Sequence, residues 1–258
     1  MQNYCNTVKN KLNLLIKRME KRVSDFVVDP KRDFVRKSEL SFSKTIKFIL
    51  GMGSQTLGKE LMDFYDFDSK MVSVSAVVQR RAKILPSAFQ HLFYEFNKEF
   101  SQTNFFHGYR LYAVDGSDIH IPLIPGDNST HYNANADSKG YNLMHLNALY
   151  DLMNRRYIDA VLQDSRNENE NKALISMIDK IDNSTIVIAD RNYDSYNNIA
   201  HIQANDLKYV IRIKSTTGII KKFDIPLDKE VDFTTDIRLT RSQTKETKSN
   251  PDKYRILA

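Results

Sequence analysis

The sequence predicts an α/β protein in two parts, an all-helical, basic N-terminal region and a mixed sheet with interleaved helices. Apolar residues recur at spacings of three and four through the first hundred positions, as in helices that bury one face. From Tyr109 the texture changes to short β-branched and aromatic runs bounded by Gly, Asn, Asp and Pro, the pattern of strands and turns. The charge divides at the same place. Residues 1–100 hold 18 Lys/Arg against 11 Asp/Glu, and residues 101–258 hold 20 against 21, so the net +6 belongs to the helical part.

In the helical part, Val8, Leu12, Leu15, Met19, Val23 and Phe26 form the apolar stripe of a first helix, which Asp29-Pro30 ends. Ser43 to Leu50 reads as a short second helix closed by Gly51-Met52-Gly53. Ser54 is the expected cap of a third, with Leu57, Leu61 and Phe64 on one face. Ser75 is the expected cap of a fourth, whose strip Gln79-Arg80-Arg81-Ala82-Lys83 is basic. Pro86 opens a fifth, with Phe89, Leu92, Phe93, Phe96 and Phe100 as its core face. A basic helical region of this kind, here residues 1–105, suits a polyanion such as DNA and has room for a helix-turn-helix-like pair. Arg80, Arg81 and Lys83 are its candidate phosphate contacts.

In the second part, Arg110 to Asp115 reads as a short strand ended by a turn at Gly116-Ser117, followed by a separate Ile119-His120-Ile121. A polar loop runs from Pro125 to about Gly140. Asn142–Tyr150 and Arg156–Leu162 form a hairpin, and residues 168–181 form a helix. Thr185 to Ala189 is wholly apolar apart from its first residue, which predicts a strand buried on both faces, and it too runs into an aspartate, Asp190. A helix over Ser195–Ala204 and a strand over Lys208–Ile213 follow, with further β segments at Gly218–Phe223 and Val231–Leu239.

Composition excludes several classes. No stretch approaches the roughly 18 consecutive apolar residues of a membrane span, so no membrane partner is expected. The N-terminus lacks an apolar signal core, and the single Cys5 fits a reducing cytoplasm. Six scattered histidines and one cysteine give no zinc spacing, and no Gly-rich phosphate loop is present.

Asp115 and Asp190 share a context, each directly following a short apolar strand. If the strands lie side by side and parallel, the two carboxylates meet at one end of the sheet. Hard oxygen ligands of this kind hold Mg²⁺ or Mn²⁺. Two such ions about 3.5–4 Å apart activate a nucleophile and stabilise the leaving oxygen in phosphodiester chemistry. Arg191, beside Asp190, is a further candidate phosphate contact, as are Lys139, Arg155 and Arg156. Asp115, Asp118 and His120 offer a second, mononuclear arrangement, although a turn after Asp115 would separate it from the other two.

The segments Tyr112-Ala113-Val114-Asp115-Gly116-Ser117 and Ile188-Ala189-Asp190-Arg191-Asn192-Tyr193 resemble insertion-sequence transposases with an Asp-Asp-Glu triad, most closely the bacterial IS-four family. The resemblance implies a ribonuclease H-like core over residues 106–214 and a basic helical region before it. It implies metal-dependent DNA cleavage and strand transfer with Asp115 and Asp190 as catalytic metal ligands. It also implies transposon-end and target DNA as partners, a homodimer or synaptic complex, and a cytoplasmic, nucleoid-associated location. The family's third acid lies on a later helix, in a Tyr-x2-Arg-x3-Glu-x6-Lys signature. Tyr209 and Arg212 match its first half, but Thr216 stands where Glu is needed and Phe223 where Lys is needed. Glu230 and Glu246 are the later glutamates, and neither has an amphipathic helix around it. The segment 215–258 reads as the start of a β-rich insertion, and the chain as a transposase lacking its C-terminal part. The expected alternatives are a catalytically incomplete DNA-binding or transposase-interacting fragment and a ribonuclease H-like nuclease.

Overall fold

The structure, a computed structural model, describes residues 2–100, 103–124, 126–133, 139–213, 230–232 and 234. The chain divides into two compact units, Met1–Ser101 and Gln102–Ala258. The β segments expected at Gly218–Phe223 and Val231–Leu239 fall almost wholly outside the described residues, as do Thr216, Phe223 and Glu246. Among the described residues no helix is long and apolar enough to cross a membrane.

The first unit contains helices α1 (Gln2–Lys21), α2 (Phe42–Gly51), α3 (Leu57–Phe64), α4 (Val74–Arg81) and α5 (Pro86–Lys98), with a 3₁₀ turn at Val23–Phe26. Leu15, Ile16 and Met19 of α1 pack with Phe42 and Ile46 of α2 and with Ala88 and Leu92 of α5. Phe48, Leu61 and Val77 join α2, α3 and α4 in a second cluster. Two caps differ from expectation. Ser73, not Ser75, caps α4 by accepting from the Ala76 amide at 3.2 Å, which turns Val77 into the core. Before α3, the Glu60 carboxylate accepts from the amides of Gly53 and Gln55, so the chain needs no cap from Ser54.

In the second unit, strands β1 (Arg110–Ile121), β2 (His131–Tyr132), β3 (Tyr141–Asp151), β4 (Arg156–Asp164), β5 (Thr185–Ala189) and β6 (Lys208–Ile211) build one mixed sheet, joined by α6 (Glu170–Ile178) and α7 (Tyr196–Ala204). Its order is β2-β3-β1-β5-β6, and β4 lies beside β2 on the same edge of β3. The β1–β3 and β3–β4 pairs are antiparallel, whereas β1–β5 and β5–β6 are parallel. The predicted order of strand, hairpin, helix, strand, helix and strand is therefore present, in the mixed sheet expected of a ribonuclease H-like core.

Alternation along the strands decides which face is core. Tyr112 and Val114 of β1, Leu149 of β3 and Val187 and Ala189 of β5 point to one side, where Leu174, Met177 and Ile178 of α6 and Ile202 of α7 cover them. On β5 the opposite face, Ile186 and Ile188, is only half-buried, so the strand is enclosed on one face rather than both.

The β1 strand departs most from expectation. Gly116 and Ser117 form no turn. They pair with Asn147 and Leu146, and the ladder runs unbroken through Ile121. Asp115 therefore sits in mid-strand. Gly116 is there for close approach: a Cβ in its place would lie 2.5 Å from Glu170 Oε1 and 2.6 Å from His145 Nε2.

Leu149 is fully buried between the sheet and α6. Leu149→Ala should lower the unfolding free energy by about 2–5 kcal/mol through lost burial and a residual cavity. Chemical denaturation followed by far-UV circular dichroism checks this, and an unchanged midpoint would mean that Leu149 is not in the core.

Candidate active site

Beyond Val114, β1 is paired on one side only. Its parallel register with β5 runs from Arg110↔Thr185 to Val114↔Ala189 and stops there. The next residues on the two strands are Asp115 and Asp190. Adjacent strands lie about 4.8 Å apart, so these residues begin side by side. Val114 and Ala189 both face the core, so alternation turns Asp115 and the extended Asp190 to the other side of the strand ends. The shared setting read from the sequence therefore corresponds to adjacent positions, although β5 ends there and β1 does not.

Each aspartate is held by backbone next to it. Asp115 Oδ1 accepts from the Gly116 amide at 2.9 Å. Asp190 Oδ1 accepts from the Asn192 amide at 2.8 Å and caps a 3₁₀ turn over Arg191–Tyr193. That turn carries Tyr193 into the core, where its side chain is almost wholly enclosed and its hydroxyl has no hydrogen-bond partner among the described residues. Burial pushes the Tyr193 phenol up, and the charges of Glu170, Asp115 and Asp190 push it further in the same direction.

Glu170 is a residue that sequence reasoning missed. It opens α6, and the packing of Leu174 and Met177 on the sheet brings it over Gly116. Its backbone is pinned. Asn169 caps α6 by accepting from the Lys172 amide, and Gln163 of β4 accepts from the Asn169 amide and from Asn147 Nδ2 of β3. Burial raises the Glu170 carboxyl above the usual range. The His145 ring pulls it back, while Asp190, Glu168 and Asp115 push it up.

His145 lies on β3 directly across from Asp118. The expected Asp115, Asp118 and His120 arrangement does not form, because His120 pairs with Leu143 and its ring lies against Tyr141. Asp118 instead meets His145, with Oδ1 2.8 Å from Nδ1. Glu168 Oε2 lies 3.2 Å from the same nitrogen, and Asp118, His145 and Glu168 together have the spacing of a metal-binding group. The sequence offered a faint signal in Glu168-Asn169-Glu170, two acids flanking a helix cap.

The basic candidates fare differently. Arg191 is exposed beside Asp190. Arg81 is exposed, but Arg80 stacks over the Phe34 ring at 5.0 Å and Lys83 pairs with the buried Asp33 at 3.1 Å. Lys139 is exposed, and Arg155 holds the left-handed position of the β3–β4 turn at φ 53°. Tyr209, from the half-matched signature, lies on strand β6, and Arg212 directly follows that strand. Glu230 is exposed and belongs to no helix or strand.

A divalent cation fits this donor set. Asp115 and Asp190, the first residues past the last β1–β5 pair, supply hard carboxylate oxygens of the kind that hold Mg²⁺ or Mn²⁺.

Comparison with known proteins agrees in class. No curated protein sequence is matched. The crystal structure of a pre-cleavage Mos1 transpososome is matched at 13% identity over 75% of this chain and 66% of that one, with a TM-score of 0.24. The chain thus spans just under two thirds of the solved chain. A family model described as a transposase DDE domain matches residues 106–257, more than half of the chain and all of the described sheet. The chain belongs to the transposase DDE domain family.

Proposed function

We propose that the second unit is a divalent-metal-dependent DNA phosphoryl-transfer core that cuts and joins strands at insertion-sequence ends, with Asp115 and Asp190 as its metal ligands. The observation that carries this reading is the parallel register, which leaves two aspartates as the first residues past the last β1–β5 pair in a chain of a transposase family. Asp115 and Asp190 would hold Mg²⁺ or Mn²⁺, which would supply activation of a water or hydroxyl nucleophile and charge neutralisation at the leaving oxygen.

The protein's own groups orient and position. The amides of Gly116 and Asn192 fix one oxygen of each aspartate, and the second oxygen of each would be the one to hold a cation. The short 3₁₀ turn after Asp190 keeps Arg191 exposed within reach of a phosphate group. The first unit supplies a basic surface for duplex DNA, with Arg81 an exposed contact. Arg80 and Lys83 act mainly in that unit's own packing, through Phe34 and Asp33. Transposon-end and target DNA are the partners of this reading, and two chains bridging two ends its assembly.

A second reading has its own observation. Thr216 occupies the place of the signature's glutamate, so a chain of this sequence could bind DNA without cutting it. A labelled transposon-end duplex separates the two when binding and nicking are measured together with Mg²⁺ or Mn²⁺. Metal-dependent nicking should fall at least about 100-fold in Asp115→Asn and Asp190→Asn, with duplex binding retained. Equal nicking by wild type and variants would refute the assignment of the aspartates. Binding without nicking by wild type would favour the DNA-binding reading.

The raised Glu170 carboxyl makes a further prediction about the metal-free chain. A carboxyl whose folded pKa lies above its unfolded value contributes stability at low pH, and that contribution is lost as pH rises through the folded pKa. Glu170→Gln removes that loss. In chelator at neutral pH its melting temperature should exceed that of wild type, and the gap should close below the ordinary glutamate pKa and on adding Mn²⁺. A lower melting temperature at neutral pH would show that the Glu170 charge stabilises the fold.

A further inference from the structure

Asp118, His145 and Glu168 form a second side-chain cluster, which the two-aspartate reading leaves unused. Asp118 of β1 lies across from His145 of β3, and Glu168 is in the short connection that leads into α6. Asp115 and Asp118 stand an odd number of residues apart on an unbroken strand, so their side chains leave opposite faces. Asp118 and His145 share the face of Val114 and Leu149, the side that α6 covers. The cluster is therefore a separate place from the pair of aspartates past the β1–β5 ladder.

The His145 side chain is 8% exposed, and its Nδ1 stands 2.8 Å from Asp118 Oδ1 and 3.2 Å from Glu168 Oε2. A ring nitrogen carries one proton at most, so it can serve one of these carboxylates and leaves the other with charge alone. Both acids are half-exposed and could turn to water, yet both converge on the same nitrogen. On the far side of the ring, Nε2 is buried and has no hydrogen-bond partner among the described residues, with Glu170 Oε1 at 3.4 Å. Three carboxylates thus surround one imidazole, and among the described residues no lysine or arginine pairs with any of them. A protonated ring balances one of those charges, whereas a divalent cation balances two.

The distances suit such an ion. Two donor atoms bound about 2.0–2.2 Å from one tetrahedral or octahedral ion stand roughly 2.8–3.6 Å apart. Both Nδ1 separations fall in that range, and the three ligand atoms lie within 4.8 Å of one another. An ion on Nδ1 leaves the ring proton on Nε2, which turns the orphaned nitrogen into a donor toward Glu170. The ring then keeps a positive face to Glu170, in the same sense as the pull it exerts on that carboxyl. A ligating histidine whose far N–H is turned toward a carboxylate is the usual support of a protein metal centre.

We propose that Asp118, His145 Nδ1 and Glu168 bind a transition-metal ion such as Zn²⁺, with Glu170 as a positioning residue behind the ring. An imidazole beside two carboxylates suits Zn²⁺ and disfavours Mg²⁺, which takes oxygen donors. Three protein ligands leave a position for water, and the exposed sides of Asp118 and Glu168 open it to solvent. The ion ties β1 and β3 to the chain that enters α6. This site does not draw on Asp115 or Asp190, so its failure leaves the proposed function untouched.

Two-bond ¹H–¹⁵N correlation spectra of the full chain labelled with ¹⁵N-histidine, recorded without metal and with equimolar Zn²⁺, test this. Of the six histidine rings, one should change, to a form with a proton on Nε2 and the ion on Nδ1. Mg²⁺ at the same concentration should not reproduce the change. His145→Gln should remove the responding ring, and Asp118→Asn and Glu168→Gln should each weaken Zn²⁺ binding, measured by calorimetry, at least about 10-fold. The response should remain in the chain carrying Asp115→Asn and Asp190→Asn. The wild-type spectra need no substitution, so a variant that fails to fold does not decide the outcome. A wild type in which no ring responds, or in which the responding ring binds through Nε2, overturns the inference. So does binding at full affinity in Asp118→Asn and Glu168→Gln, or loss of the response in the Asp115→Asn, Asp190→Asn chain.

Discussion

The parallel pairing of β1 with β5 is the constraint from which the site follows. Val114 and Ala189 are the last residues of that ladder and both are in the core, so the chain has no freedom over what comes next. A slip of one residue would turn Val114 and Ala189 out of the core and the aspartates into it, at a cost of several buried side chains and two desolvated charges. Apolar packing thus fixes the position of the carboxylates. Leu174, Met177 and Ile178 bind α6 to the same face and so determine where Glu170 sits.

Building the cluster has an energetic cost that the surrounding structure offsets. The partial burial of Glu170 disfavours its charge, and the charges of Asp190, Glu168 and Asp115 add to that cost. Asn147, Gln163 and Asn169 form a polar chain from β3 through β4 to the start of α6, which holds the helix end against that repulsion. Gly116 gives up a side chain so that strand, imidazole and glutamate can approach. An arrangement that works against stability at one end of a well-packed sheet is characteristic of sites kept for function.

Much of this was legible in the sequence, and the remainder has physical reasons for being hidden. The two aspartates that follow the β1–β5 ladder could be read because apolar runs and helix periodicity are local patterns. The pairing of Asp118 with His145 could not, since it depends on antiparallel register between residues far apart in the chain. Gly116 misled because a glycine after an apolar run has the look of a turn, whereas here it makes room within a strand. Arg80 and Lys83 read as free basic residues because the sequence does not show Phe34 and Asp33 beside them. Ser73 and Ser75 are equally good caps by type, and only the burial of Val77 chooses between them.

The account stands or falls on a divalent cation beside Asp115 and Asp190. Anomalous diffraction from crystals of the full chain soaked in Mn²⁺ locates it. The account predicts a peak within coordination distance of both aspartates that is absent in Asp190→Asn crystals. Ordered Mn²⁺ found only elsewhere on the chain, or a peak that persists undisturbed in the variant, would contradict it.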